Sequence, residues 1–505
     1  LHVLARRLDR ISESHRYSRD FTFATLHNAL LETIACFPVY RTYVRPGSES
    51  VSDDDRRRIT SALRAAKRRN PEIDASVFDF LRSVLLLDDP PHLTEEQRDE
   101  RREFVLRLQQ LTGPVTAKGI EDTAFYRDYP LLSLAEVGGD AEHAGTSVAD
   151  FHRRSQERFR DWPHTMLASS THDTKRSEDV RARINLLSEC PQEWEQSIQR
   201  WHELNQGHRR DVDGADAPSP NEEFLIYQTL VGAWPLETDD ESWPTFIDRI
   251  KQYMSKAMKE AKANTSWTNP SEDWEEAVAH FVSSILDREM SREFLADFER
   301  FHEPLAVAGM HNALAQLLVK TCSPGVPDFY QGSELWDLSL VDPDNRRPVD
   351  FDLRRRLLSE LQTQARGDLM GLTRSLLDDW RDGRIKLYVT HQALRFRSQH
   401  AALFHLGEYL PLEATGTAAE HVCAFARLHD EQAAVVVVPR LVLPLQTPGK
   451  PIWDADAWSD TSLSPPQSFS TWRNIFTGQE HRPEGELRLA TLLESFPIAL
   501  LAGGD

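Results

Sequence analysis

Apolar residues along this chain follow two rhythms, and the change from one to the other divides it. Over residues 23–34 they recur every three or four positions, the period of a helix with one buried face, and residues 1–21 read as a helix already in progress. The run Phe37-Pro-Val-Tyr-Arg-Thr-Tyr43 and Val44 that follows is expected to be a strand ending in aromatic and cationic side chains. Residues 53–69 and 94–111 are highly charged helices, the second opened by Thr94 and Gln97 at capping-box spacing. Helix formers also dominate 192–300, with helices expected over 221–231, 245–263 and 272–286 and a loop or linker over 205–220. From Arg384 onward the texture becomes short β-type runs at 385–390, 422–428 and 433–438, which predicts a closing antiparallel sandwich.

Between these regions lies Met166-Leu-Ala-Ser-Ser-Thr-His-Asp-Thr-Lys175-Arg-Ser-Glu-Asp179. Its apolar and small residues 166–170 give way abruptly to a dense polar cluster, as at the carboxyl end of a barrel strand that faces a site. Asp173 there, with His172 beside it and Lys175 two residues on, can orient sugar hydroxyls or hold a developing positive charge. The competing reading is local: Ser170 and Asp173 have the spacing of a helix cap, and 177–184 looks helical.

Composition narrows the partners. At 505 residues, 40% apolar and 28% charged, the chain has room for several packed units and is not disordered. A net charge of −21 repels polyanions, so no nucleic acid and no membrane surface is expected, and a neutral ligand suits it better. No apolar run reaches membrane-spanning length. Cys36, Cys190, Cys322 and Cys423 lie far apart without paired spacing, which reads as reduced, structural and cytoplasmic.

A second stretch decides between the readings of Asp173. Ser323-Pro-Gly-Val-Pro-Asp-Phe-Tyr-Gln-Gly-Ser-Glu-Leu-Trp336, followed by Val341-Asp-Pro-Asp-Asn-Arg-Arg-Pro-Val-Asp350, together with the His-Asp run, resembles the last two barrel strands of the α-amylase superfamily. Phe37-Pro-Val-Tyr-Arg-Thr-Tyr43, Ala117-Lys-Gly-Ile-Glu-Asp-Thr-Ala-Phe-Tyr-Arg127 and Leu335-Trp-Asp-Leu-Ser-Leu-Val-Asp-Pro-Asp-Asn-Arg-Arg-Pro348 narrow the resemblance to the maltooligosyltrehalose synthase family, over essentially the whole chain.

The resemblance implies an α/β fold: the C-terminal part of a (β/α)8 TIM barrel with large helical insertions, then an antiparallel β-sandwich. In those terms residues 1–50 are a barrel segment with strand six and 51–160 a helical insertion with a substrate-contacting segment at 117–129. Strand seven lies in 161–190, a second helical insertion in 191–300, strand eight and closing helices in 301–383, and the β domain in 384–505. It also implies retaining transfer, which needs two carboxyls about 5 Å apart, a nucleophile and a general acid/base, plus a third acid on the distorted sugar. Only the third has a match, at Asp173, with His172 beside it. The chain is therefore expected to be the C-terminal portion of a longer enzyme, with strands one to five elsewhere, in the same or another chain.

The implied reaction turns the cleaved terminal glucose around, so that an α-1,4 bond of a maltooligosaccharide becomes α,α-1,1. A closed subsite must hold that glucose in two orientations and keep water out. By resemblance Lys175 and Arg176 lie beside it, with Tyr40, Arg41 and Tyr43 from one strand end and Phe125, Tyr126 and Tyr129 following Lys118, Glu121 and Asp122. Each has a plainer reading. Arg41 can pair with an acid at a strand end, and Glu121–Asp122 can be a helix N-cap pair. Lys256, Lys259 and Lys262 recur at helical spacing, the usual mark of a solvated face. Trp267 is either a contact for a long glucan or a buried structural residue. Asp342, Asp344 and Asn345 resemble a calcium loop, but Pro343 and Arg346–Arg347 favour a turn stitched by salt bridges. No metal and no cofactor is expected. An α-glucan hydrolase or branching enzyme, and a catalytically incomplete glucan-binding module, are the alternatives. A non-reducing product end separates the isomerase from the first, and Asp173-dependent turnover separates both enzymes from the second.

Overall fold

In the computed structural model Thr94 caps a helix as its spacing predicts: its hydroxyl accepts the Gln97 N–H while the Gln97 side chain accepts the Thr94 N–H. The structure describes residues 1–14, 16–48, 50–139, 145–237, 239–446, 455–466, 469–483 and 485–504. The chain divides into two units, Leu1–Tyr126 and Arg127–Asp505.

The first unit is helical: α1 (His2–Glu13), α2 (Phe23–Ala35), α3 (Asp53–Arg69), α4 (Ala75–Leu85) and α5 (Glu95–Thr116). Leu8, Leu26, Leu30, Leu63, Leu81 and Phe104 form its core. Three aspartates in the first turn of α3 and three cations in its last turn complement the helix dipole. The first helix stops at Glu13 instead of running to residue 21. No strand forms over 37–44 either. Buried Gln109 takes both backbone groups of Val44, accepting its N–H (2.7 Å) and donating to its carbonyl (3.1 Å). Tyr43 N–H donates to Asp55 (3.0 Å). Side chains thus satisfy backbone groups that a strand would offer to a neighbour.

In the second unit α6 (Val148–Asp161) leads into β1 (Met166–Leu167), then α7 (Glu178–Ile184) and α8 (Pro191–Asn205). The expected linker at 205–220 contains a hairpin, β2 (Arg210–Val212) with β3 (Ala215–Ala217), turning at Asp213–Gly214 where both φ angles are positive. Next come α9 (Pro220–Ala233), α10 (Trp243–Ala261), α11 (Glu272–Ile285) and α12 (Arg292–Cys322). The strand expected over 166–170 is only two residues long, and it pairs in parallel with β4 (Val326–Pro327). Gly325, at φ +128°, permits this approach, because a Cβ there would meet Thr165 O and Leu167 Cγ at 2.8 Å.

Helices α13 (Phe351–Gly367), α14 (Leu369–Asp378), α15 (Arg384–Gln399) and α16 (Ala401–His405) follow. Here the reading of 385–390 as a strand is corrected. That short run alternates, but Ile385, Val389, Ala393 and Phe396 recur at helical spacing over a longer window and are buried along α15. The β region therefore begins later, with β5 (Glu408–Leu412), β6 (Ala414–Thr415), β7 (Val422–His429), β8 (Gln432–Pro439), β9 (Ser462–Leu463), β10 (Thr471–Asn474), β11 (Glu480–His481), β12 (Leu487–Arg488) and β13 (Ala499–Gly504). All its pairings are antiparallel, in a six-stranded sheet ordered β11-β10-β13-β8-β7-β5 and a three-stranded one ordered β12-β9-β6. One core joins α12 and α15 to the larger sheet through Leu314, Leu318, Val389, Phe425, Val436 and Leu500. Among the described residues no helix is long and apolar enough to cross a membrane.

Candidate active site

Residues 171–175 form a turn rather than a helix start. Thr174 Oγ1 donates to Thr171 O (3.0 Å) and accepts the Thr171 N–H (3.3 Å), while Asp173 N–H donates to Thr171 Oγ1 (3.2 Å). The capping reading of Ser170 holds in altered form: its hydroxyl accepts the N–H of Glu178 (2.8 Å), the first residue of α7, from across the loop. His172 and Asp173 are left with exposed side chains just beyond the carboxyl end of β1.

Three groups from distant sequence fix this loop. Buried Glu136 accepts the backbone N–H of Lys175 (2.6 Å) and of Arg176 (3.0 Å), a charge-assisted pair of bonds. Asn345 donates to Thr174 O (3.3 Å), and the Arg346 guanidinium to His172 O (3.1 and 3.3 Å). The loop carrying Asn345 is stitched by ion pairs, as expected: Asp344 with Arg249 (2.8 Å) and Arg347 (3.2 Å), Asp342 with Lys256 and Arg346.

Beneath lies a buried ionic cluster. Lys386 of α15, fully buried, pairs with Glu178 and Asp179 at 2.8 Å each, and Lys320 of α12 lies 3.4 Å from Glu178. Burial pushes the Glu178 carboxyl up, but the ammonium groups of Lys386 and Lys320 outweigh it and hold the carboxyl down at about 2. Asp179 has only Lys386, so burial prevails, reinforced by the charge of Glu178, and its carboxyl is raised to about 6. Burial works against the charge of Lys386, yet its two carboxylates raise it above the ordinary lysine value. Burial lowers Lys320, against the pull of Glu178. Asp179 also accepts the N–H of Asp337 (2.8 Å), joining the cluster to the segment that leads to Asn345.

Other expected site residues separate into exposed and interior ones. Arg176, expected beside the subsite, is an interior residue: it is 1% exposed and donates to Ala135 O (2.9 Å) and the Tyr253 hydroxyl (2.7 Å). Lys175 is also buried. Phe125, Tyr126 and Tyr129 are interior rather than open platforms, and Tyr129 stacks on Phe224 while donating to Asn221 O (2.8 Å). In the first unit, Tyr40 and Tyr43 are exposed, with the Arg41 guanidinium 4.9 Å from the Tyr43 ring centre. The Tyr40 hydroxyl donates to Glu121, and Lys118 pairs with Asp122. Glu121 and Asp122 end a π turn (Ala117–Glu121) that continues α5, so the N-cap reading is corrected to a C-terminal one. Among the described residues no group of three His, Cys, Asp or Glu is arranged to hold a metal ion.

Glu136, Lys320 and Lys386 were not singled out from sequence. Glu136 lies in a stretch without a motif, and Lys386 sits inside the run misread as a strand.

No protein-family model matches the chain. A Mycobacterium tuberculosis protein provisionally named maltooligosyl trehalose synthase is 38% identical over 399 residues, which is 79% of this chain and 45% of that protein. The solved maltooligosyltrehalose synthase of Arthrobacter ramosus superposes with a TM-score of 0.78 at 33% identity, over 99% of this chain and 56% of that one. A Sulfolobus tokodaii structure described as a hypothetical maltooligosyl trehalose synthase gives 0.65 at 25% identity, over 99% and 58%. The chain spans about half the length of the curated relatives it matches. On these matches the chain belongs to the maltooligosyltrehalose synthase family.

Proposed function

We propose that this chain carries one part of a maltooligosyltrehalose synthase site, and that the remaining length of the family's chain, in the same or another polypeptide, supplies the rest. The exposed His172–Asp173 pair, held rigidly beyond a parallel strand pair, carries this reading. In it β1 and β4 are strands seven and eight of a (β/α)8 barrel of the α-amylase type, interrupted by helical insertions over 51–160 and 191–300. The substrate is a maltooligosaccharide. A carboxylate from the remaining length attacks the anomeric carbon of the bond to the reducing-end glucose, and a second acid protonates the leaving oxygen. The freed glucose turns over in its subsite, and its anomeric hydroxyl attacks the glycosyl-enzyme, giving up its proton and releasing the carboxylate. The α-1,4 bond is replaced by α,α-1,1.

Asp173 and His172 bind the hydroxyls of the distorted ring, an interaction that strengthens as the ring flattens toward the transition state. In the first unit Lys118, Tyr40, Arg41 and Tyr43 contact the sugar chain, with Glu121 and Asp122 orienting Tyr40 and Lys118. No metal or cofactor takes part. The four cysteines are free, which suits a reducing compartment such as the cytoplasm.

The test is loss of reducing ends from maltohexaose with product analysis, for this chain alone and mixed with a polypeptide bearing the remaining length. Transfer only in the mixture, abolished by Asp173→Asn with the fold unchanged, is expected. Transfer by this chain alone, or undiminished in Asp173→Asn, would overturn the assignment.

A further inference from the structure

Trp267 lies on a loop built to hold it in water. The ring is 59% exposed, although tryptophan is among the side chains that gain most from burial. Loose packing does not explain this exposure, because the loop is pinned along its length. Arg127 clamps its start by donating to Ala261 O and Lys262 O, the latter at 3.0 Å. Asn264 donates to Glu222 (3.2 Å), and buried Thr265 donates to Glu275 (2.8 Å) while accepting the Ser271 N–H (2.9 Å). Ser266 and Asn269 close a turn around the tryptophan, Ser266 N–H to Asn269 O (3.2 Å) and Asn269 N–H to Ser266 Oγ (3.0 Å). The Lys259 ammonium, fixed by Glu275 at 2.8 Å, stands 5.1 Å from the indole centre. Exposed Thr268 and Asn269 flank the ring with hydrogen-bonding groups. An apolar plate edged by donors and acceptors is the surface that stacks on a pyranose ring while binding its hydroxyls.

Its position relates it to the candidate site. Lys259 lies one helical turn from Lys256 on α10; Lys256 pairs with Asp342, Asp342 with Arg346 (3.4 Å), and Arg346 donates to His172 O (3.1 Å). A row of polar side chains, carried from Lys256 to Lys259 by the α10 backbone, thus runs from the His172–Asp173 loop to Trp267, all within the second unit.

We propose that Trp267 is a distal α-glucan-binding platform, which holds the far part of a long maltooligosaccharide whose end lies at His172–Asp173. The class of ligand rests on the function proposed above. The platform makes the protein favour longer chains, because only these span both places.

Affinity electrophoresis of the chain through native gels containing soluble amylose tests the platform without requiring turnover. Retardation against amylose concentration yields a dissociation constant. The wild-type chain is expected to be retarded, Trp267→Phe to bind nearly as well, and Trp267→Ala about threefold to tenfold more weakly, the loss of one aromatic contact. Trp162→Ala, which removes another exposed tryptophan, is expected to match the wild type, and circular dichroism establishes that each variant is folded. The proposal is overturned by an unretarded wild type, by a Trp267→Ala constant less than about threefold above the wild type, or by an equal loss in Trp162→Ala. Because this assay reads binding alone, failure of the maltohexaose assay with amylose binding intact would refute the isomerase reading and leave the platform standing.

Discussion

Lys386→Met tests whether the buried ionic cluster holds the second unit together. The methionine keeps most of the aliphatic volume, so the cost is electrostatic rather than that of a cavity. Asp179 loses its cation, and Glu178 keeps only Lys320 at 3.4 Å. Removing one partner from a buried pair costs about 3–5 kcal/mol, and protonation sets a ceiling of similar size. A stranded Asp179 can take a proton, and carrying that proton at pH 7.5 against an unfolded pKa near 3.8 costs roughly 5 kcal/mol. The pH dependence follows from the same shifts. A raised carboxyl destabilises the fold increasingly as pH climbs from the unfolded pKa to the folded one. The substitution raises Asp179 beyond its present value of about 6, so its contribution to the deficit disappears as pH falls toward 5. Glu178, held at about 2, stabilises the wild type above its unfolded pKa near 4.5, and that advantage is lost only as pH falls from there toward 2. The deficit of Lys386→Met should therefore narrow by roughly 2 kcal/mol between pH 7.5 and pH 5. Urea unfolding followed by tryptophan fluorescence measures it cleanly, because all twelve tryptophans lie in the second unit. Adding Asp179→Asn should recover part of the loss. A deficit under about 1 kcal/mol, one that widens on acidification, or no recovery in the double variant would refute the reasoning.

Glu136→Ala removes the acceptor for two backbone amides, and hydrogen exchange at Lys175 and Arg176 should accelerate while the α15 amides stay protected; unchanged exchange would mean that Glu136 does not hold the loop. Gln109→Leu strands the backbone groups of Val44, and the first unit should lose about 1–3 kcal/mol by circular dichroism, whereas a loss confined to tryptophan fluorescence would contradict the division into units. Arg176→Lys replaces a two-partner fork with a single ammonium and should lower the urea midpoint of the second unit, leaving any amylose binding in proportion to the folded fraction; weaker binding by fully folded protein would return Arg176 to the subsite.

Which elements were legible in the sequence follows from how local their determinants are. The helix Asp53–Arg69 and the capping box at Thr94 are fixed by residues three or four apart, and both appear as read. The strands Val422–His429 and Gln432–Pro439 carry their apolar pattern in eight residues each and were equally plain. The run at 37–44 has a strand's composition, but Gln109, sixty-five positions away, claims the backbone of Val44, and no local pattern announces that. The same holds for the candidate site. The His172–Asp173 pair could be singled out from a motif, because the role proposed for it lies in two adjacent side chains. What holds it could not, because Glu136, Asn345 and Arg346 reach its loop from two separate parts of the chain. Arg176 shows the converse, since a cation next to the His172–Asp173 turn reads from sequence as a ligand contact, whereas its bonds to Ala135 O and the Tyr253 hydroxyl turn it inward. A motif thus identifies which residues accompany a reaction, while burial decides which of them can touch its substrate. By that criterion Asp173 and His172 remain at the surface, whereas Lys175 and Arg176 lie within the scaffold.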